Sequence, residues 1–178
     1  MNSEPIHPDV SVGHVHLKVA DIDRSIAFYR DVLGFHVTAD AREAGFDAVF
    51  LAAGDYHHHI GINTFESAGS APPPTGRTGL YHVAFVYPDL RELGRAVRRL
   101  LEHQYPIDHA SDHGATVSVY LSDPDGNGVE LYYDRPRAEW FDADGKPVVK
   151  AERIDYRALA ESGRGQTEDS APQARAGI

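Results

Sequence analysis

The chain has 178 residues, enough for one hydrophobic core or for two small halves that share one. Its 17 basic and 27 acidic residues give a formal charge of −10, which argues against binding a nucleic-acid backbone. This chain has no cysteine for a disulfide or a thiolate metal site, but its eleven histidines can supply nitrogen ligands. We expect a cytoplasmic protein without nucleic-acid or membrane partners, because no leader-like start and no apolar run of about 20 residues occurs.

The first half of the chain predicts one βαβββ unit. Residues 1–10 are polar and proline-containing, so we expect a lead-in, and the alternation in VGHVHLKV then predicts a strand. Asp21 can cap a helix whose apolar residues recur every three or four positions, and Gly34 can end it. Three further strands are predicted, in the segments FHVTADA, DAVFLAA and HHHIGINTF. This first module spans residues 11–66.

The second half repeats the pattern after the Pro- and Gly-rich connection SAGSAPPPTGRTG. The strand LYHVAFVY precedes the helix LRELGRAVRRLL, which Asp89 can cap, and residues 79–134 form the second module. Its other strands are predicted in YPIDHAS, TVSVYLSD and GVELYYD. Three residues lie 68 positions after a chemically similar residue of the first module: His82 after His14, Asp89 after Asp21 and Leu90 after Ile22. We therefore predict an α+β fold of two tandem βαβββ modules that form a cupped, mostly antiparallel sheet.

The C-terminal part reads as an addition to the two modules. Residues 138–161 are predicted as an extension with Trp140 and Phe141 as anchors and a short helix near residues 156–160. Residues 162–178 are small and polar, and we expect a mobile tail.

Three residues, His14, His82 and Glu130, suit a divalent metal. The two histidines occupy equivalent positions of the repeat, opposite the core face of their strands. Glu130 lies between Val129 and Leu131, where burial of a carboxylate requires a cation or hydrogen-bond donors. Two imidazoles and one carboxylate leave coordination positions open, as in catalytic sites. The metal-site hypothesis competes with ordinary hydrogen-bonded histidines and a glutamate on a solvated strand.

Two more residues are candidates for catalysis. The repeat offset aligns Glu130 with Ile62 unless loop lengths shift the register, so the first module should supply no fourth ligand. Strand parity should then point His58 inward as an acid and base. Tyr120 should lie on the concave face, where it can hydrogen-bond a bound oxygen. The alternatives are a polar strand end for His58 and a packing aromatic for Tyr120. The roles of the remaining histidines stay open, namely His16, His57, His59, His109 and His113.

The segments GHVHLKVADIDRSIAFYRDVLGF, LYHVAFVYPDL and YLSDPDGNGVELYYDRPR resemble the vicinal oxygen chelate superfamily, over roughly residues 11–137. This resemblance implies the two-module fold and a metal held by His14, His82 and Glu130. The chain looks most like extradiol dioxygenases of the catechol 2,3-dioxygenase type, which implies roles for His58 and Tyr120. It also implies Fe(II), with Mn(II), Zn(II) or Ni(II) as other metals, and dioxygen and a substrate with vicinal oxygens as partners.

The chain departs from the best-known dioxygenases of this kind, because it has one pair of modules where they have two. Two other functions on the same scaffold stay open. One is a glyoxalase-like lyase, isomerase or thiol transferase, and the other is a non-catalytic antibiotic-binding protein. The unpaired sheet edges of such modules predict a homodimer.

Overall fold

The computed structural model describes residues 4–163, and these contain two sheets and three α-helices. The first module comprises β1 (Val15–Lys18), α1 (Ile22–Ile26) with a π-helical continuation (Ala27–Val32), β2 (His36–Asp40), β3 (Ala48–Ala52) and β4 (Ile60–Asn63). The second comprises β5 (Val83–Tyr87), α2 (Leu90–Glu102), β6 (His109–Gly114), β7 (Thr116–Ser122) and β8 (Gly128–Asp134). β9 (Val149–Ile154) and α3 (Tyr156–Ser162) follow. Both βαβββ units are present, although β6 begins later than the predicted segment YPIDHAS.

The two sheets share one topology. The first has the order β1-β4-β3-β2, and the second has the order β5-β8-β7-β6-β9. In each sheet the first and last strands of a module pair in parallel, whereas the other neighbours are antiparallel. This confirms the predicted fold class and leaves β1 and β5 as sheet edges.

Both helices that follow the first strand of a module begin at the predicted aspartate. The Asp21 carboxylate accepts a hydrogen bond from the Arg24 N–H at 3.0 Å, and Asp89 accepts one from the Glu92 N–H at 2.8 Å. Gly34 has a φ of 91°, a conformation that glycine tolerates best, and ends the first helical segment.

The modules share one hydrophobic core. The turn DPDGNG, residues 123–128 of the second module, also forms hydrogen bonds with the first module. Asp125 of this turn accepts hydrogen bonds from the Ala20 N–H at 3.0 Å and from the Arg24 guanidinium at 2.6 Å. The buried Asp123 accepts one from the Tyr29 hydroxyl at 2.9 Å. The turn before β8 is therefore tied to the helix that follows β1.

The C-terminal extension is more regular than predicted. β9 adds a fifth strand to the second sheet beside β6, and α3 packs against α2. The Trp140 indole donates to the Arg135 carbonyl at 2.6 Å, whereas Phe141 is 46% exposed. The tail prediction falls almost entirely outside the described residues. Within residues 4–163, every helix is too short or too polar to cross a membrane.

Candidate metal centre and active site

His82 and Glu130 lie side by side in the second module. His82 immediately precedes β5, and Glu130 pairs through its backbone with Ala84 of that strand. The His82 Nε2 and Glu130 Oε2 atoms are 3.0 Å apart. The side chain of Glu130 is only 12% exposed, between the fully buried Val129 and Leu131. The predicted partner for this carboxylate is therefore an imidazole, and the pair has the donor chemistry of a divalent-metal site.

Tyr120 contacts the other oxygen of the same carboxylate. It faces Glu130 directly in the β7–β8 register, and its hydroxyl donates to Glu130 Oε1 at 2.9 Å. Burial, followed by the hydrogen bond to Glu130, raises the pKa of Tyr120 to about 12. The side chain is therefore a neutral phenol near neutral pH, able to donate a proton or a hydrogen bond.

His113 is the functional candidate to which the sequence assigned no role. Its Nε2 lies 2.9 Å from the Tyr120 hydroxyl, and its Nδ1 lies 2.9 Å from the Lys150 carbonyl oxygen. His109 stacks on the Tyr120 ring at a centroid distance of 4.6 Å. The signal for His113 was the following Gly114, since a hairpin there folds the preceding residues back against TVSVY.

The hydrogen bonds from the Lys150 carbonyl through His113 and Tyr120 to Glu130 form one chain. Its three bonds need three protons, and a neutral imidazole and a phenol supply two. Since the Tyr120 hydroxyl donates to Glu130, the third proton must lie on His113 Nε2 when all three bonds form. The arrangement can therefore hold a proton close to the proposed metal ligands and pass it along the chain.

His14 and His58 form a second group, in the first module. Their ring centroids are 4.5 Å apart, and the Nδ1 atoms of His57 and His58 lie 2.7 Å from each other. Burial, followed by the neighbouring His14, lowers the pKa of His58. A neutral His58 is suited to accept a proton at ordinary pH.

The alignment of Glu130 with Ile62 is wrong. Ala84 pairs with Glu130 in the second sheet, and its repeat equivalent His16 pairs with Gly61 in the first. The offset in the last strand is therefore 69 and not 68, because the connections between the first and last strands of the two modules differ in total length by one residue. Ile62 instead packs fully buried in the core. The first module still supplies no carboxylate here, since the equivalent residue is a glycine.

The strand-parity argument for His58 also fails. β4 begins at Ile60, so His58 belongs to the preceding loop and its direction does not follow from strand alternation. The loop nevertheless brings its ring to His14. His59 turns elsewhere, since its Nδ1 accepts a hydrogen bond from the Ala53 N–H at 3.3 Å.

The structure brings together two of the three proposed metal ligands. His82 and Glu130 converge, whereas His14 contacts His58. Among residues 4–163, no group of three or more His, Asp or Glu side chains has the geometry to hold a metal ion. The donors at His82 and Glu130 fit such an ion, and a third ligand must join them to complete the set.

Sequence comparison relates the chain to enzymes of two kinds. It is 37% identical over 169 residues to the catechol-2,3-dioxygenase of Bacillus subtilis, a match that covers 94% of this chain and 57% of that protein. It is 31% identical over 128 residues to the lactoylglutathione lyase of Haemophilus influenzae, covering 68% of this chain and 91% of that protein. The chain thus spans just over half the length of the first relative.

Structural comparison supports the fold. A glyoxalase/dioxygenase from Nostoc punctiforme superimposes with a TM-score of 0.60 at 24% identity, covering 76% of this chain and 100% of that chain. The family model for the Glyoxalase/Bleomycin resistance protein/Dioxygenase superfamily matches residues 11–131. With the repeated βαβββ topology, these matches show that the chain belongs to this superfamily.

Proposed function

We propose that the protein is a metal-dependent extradiol dioxygenase that cleaves a catechol-type ring beside its two hydroxyl groups. The observation that carries this proposal is the shared carboxylate of Glu130, which faces His82 with one oxygen and Tyr120 with the other. A metal ligand and a proton donor thereby lie next to each other. The similarity to a catechol-2,3-dioxygenase over 94% of the chain supports the same activity.

His14, His82 and Glu130 would hold the metal, for which we propose Fe(II). This two-histidine, one-carboxylate set leaves open positions for substrate and is typical of non-haem Fe(II) oxygenases. The metal would supply the Lewis acidity and the one-electron chemistry that dioxygen requires.

The protein's own side chains would manage the protons. His58 can accept a proton from a diol hydroxyl at Nε2, because its Nδ1 faces His57. Tyr120 can donate to a substrate oxygen, and His113 can return a proton to it. A proton acceptor, His58, and a proton donor, Tyr120, suit a reaction that first ionises the diol and later protonates the product.

We further propose that the working form is a homodimer. β1 and β5 each end a sheet, and His14 and His82 stand at the start of these two edge strands. Pairing of edges between two copies can bring His14 of one chain to His82 and Glu130 of the other. This would complete the ligand set that the described residues of a single chain leave open.

A lyase or isomerase of the glyoxalase type is the second candidate. The lactoylglutathione lyase match, which covers 91% of that protein, favours it. Gly61 argues against it, because the position equivalent to Glu130 carries no side chain that could act as a second carboxylate. A thiol transferase or an antibiotic-binding protein would share the scaffold without requiring dioxygen.

Anaerobic reconstitution with Fe(II), Mn(II), Zn(II) or Ni(II) tests these proposals. We expect one Fe(II) ion per site by metal analysis, and dioxygen uptake only when a catechol is added. In a parallel assay with methylglyoxal and glutathione, formation of lactoylglutathione without dioxygen uptake would favour the lyase. A protein that retains no metal would contradict both enzymatic proposals.

A further inference from the structure

Strand β9 lies beyond the region that matches the family model, yet it borders the candidate site. It pairs antiparallel with β6, where Asp112 faces Glu152 and Gly114 faces Val149. One residue of β6, His113, therefore stands opposite two residues of β9. Such a bulge redirects the side chain beside it, and bulges often occur next to active sites.

The bulge places a β9 carbonyl against the His113 ring. The Lys150 oxygen lies 2.9 Å from His113 Nδ1, and a carbonyl can only accept a hydrogen bond. Nδ1 must therefore carry a proton. This contact turns Nε2 toward the Tyr120 hydroxyl, 2.9 Å away.

Asp112 contacts residues of both β6 and β9 beside His113. One carboxylate oxygen accepts a hydrogen bond from the Gly114 N–H at 2.8 Å, so the residues before and after His113 are linked directly. The other oxygen lies 2.8 Å from the Arg135 guanidinium and 3.1 Å from the Lys150 ammonium. Only 14% of the Asp112 side chain is exposed, so solvent screens these pairs less than pairs at the surface.

Gly114 adds a backbone requirement on the other side of His113. Its φ is 87°, in the left-handed region, and a side chain at this position would collide with Val148. The residues on both sides of His113 are thus fixed, one by charge and one by conformation.

We propose that β9 and Asp112 are positioning parts of the candidate active site, which hold His113 in its Nδ1-protonated form with Nε2 directed at Tyr120. This inference rests on the proposed function for its catalytic consequence. It assigns the C-terminal extension a role in the site. Asp112 and Lys150 are positioning residues, because they act through His113.

Imidazole NMR on the full-length chain tests the geometry without any activity assay. We expect His113 to show a protected Nδ1 proton that is lost in Asp112→Ala. The matched control is Glu152→Gln, since Glu152 is the other carboxylate beside the Lys150 ammonium, at 3.3 Å, and is mostly exposed. Absence of the Nδ1 proton in the unaltered protein, or its persistence in Asp112→Ala, would overturn the proposal.

Kinetics tests the catalytic consequence. We expect Asp112→Ala to lower kcat about 10- to 100-fold with little change in KM, the range typical of residues that orient a ligand or catalytic group. Asp112→Asn, which keeps an oxygen for the Gly114 N–H, should recover part of the loss. In a His113→Phe background, Asp112→Ala should have no further effect, because its contribution passes through His113.

The NMR and kinetic measurements distinguish a failure of the positioning role from a failure of the proposed function. Equal losses of kcat from Asp112→Ala in both backgrounds would overturn the positioning role. If no catechol is turned over even by the unaltered protein, the proposed function fails while the NMR result still decides whether β9 positions His113. Circular dichroism of Asp112→Ala and Asp112→Asn separates these outcomes from a loss of folding.

Discussion

Glu130 is the residue on which the candidate site depends, because each of its carboxylate oxygens has a different partner. His82 is 3.0 Å from one oxygen, and Tyr120 donates to the other at 2.9 Å. A carboxylate that is 12% exposed in such surroundings requires these partners or a cation. Substitution of His82, which contacts Glu130, and substitution of His58, the proposed proton acceptor in the first module, should therefore have separable effects on metal binding and turnover.

We predict that His82→Ala abolishes metal binding, whereas His58→Ala retains the metal and slows turnover about 10- to 100-fold. The reason is that His82 contacts Glu130, while His58 contacts His14 from a loop. Metal analysis of both variants after anaerobic loading with Fe(II) checks the first part, and steady-state kinetics the second. Equal loss of metal from the two variants would exclude the role assigned to His58.

The same residues show what sequence alone could provide. The repeat located His14 and His82, and the need to compensate a buried charge located Glu130. His113 was missed as a participant, because its contact with Lys150 depends on the strand β9, which no pattern had predicted. The alignment of Glu130 with Ile62 failed, because a fixed offset ignores differences in turn length.

At the scale of elements, the turn before β8 is held by helix α1, its π-helical continuation and the residue before its cap. The fully buried Tyr29 hydroxyl donates to Asp123, and Asp125 accepts from Arg24 and Ala20. These bonds cross from one module to the other. They fix the position at which β8 begins, and therefore the position of Glu130 in that strand. Sequence predicted both the helix and the turn, but their contact depends on how the modules pack.

We predict that Tyr29→Phe lowers the free energy of unfolding by about 1–3 kcal/mol, because a buried acceptor loses one donor. Denaturant unfolding measures this, with Tyr105→Phe as the control. The Tyr105 hydroxyl donates to the Ser122 carbonyl at 2.8 Å in a more exposed setting, so its loss should cost less. An equal or larger effect in the control would contradict the assigned role of the inter-module bond.

The same bond should make stability depend on pH in the alkaline range. Burial, followed by Asp123, raises the pKa of Tyr29 well above its ordinary value of 10.0. A raised pKa stabilises the fold below the unfolded value, and this contribution is lost as the pH rises through the folded value. The stability difference between the unaltered protein and Tyr29→Phe should therefore narrow above pH 10. A constant difference would show that Tyr29 does not titrate in this way.

At the scale of the whole molecule, the proposed metal site requires His14 to join His82 and Glu130. Within residues 4–163 the three side chains do not form a metal-binding group, and the strands that follow His14 and His82 are both sheet edges. A second copy of the chain is the partner we propose. The sequence led to the proposed ligand set and to the expected homodimer, but its pattern does not specify which sheet edges of the two chains meet.

We predict that two inactive variants restore activity when mixed. In a dimer of His14→Ala with His82→Ala, one site would contain neither substitution if its ligands come from both chains. Unfolding the variants together and refolding them should then recover metal binding and turnover, while each variant refolded alone stays inactive. No recovery in a mixture shown to contain mixed dimers would place all three ligands on one chain.

The proposed extradiol cleavage is tested most directly by following labelled dioxygen into the product. The Fe(II)-loaded protein would be mixed with a catechol under ¹⁸O₂, and the ring-opened product analysed by mass spectrometry. We predict one product whose ring is cleaved beside the diol and which contains both atoms of the labelled dioxygen. A Fe(II)-loaded protein that leaves the catechol ring intact, or a product without label from dioxygen, would contradict the proposal.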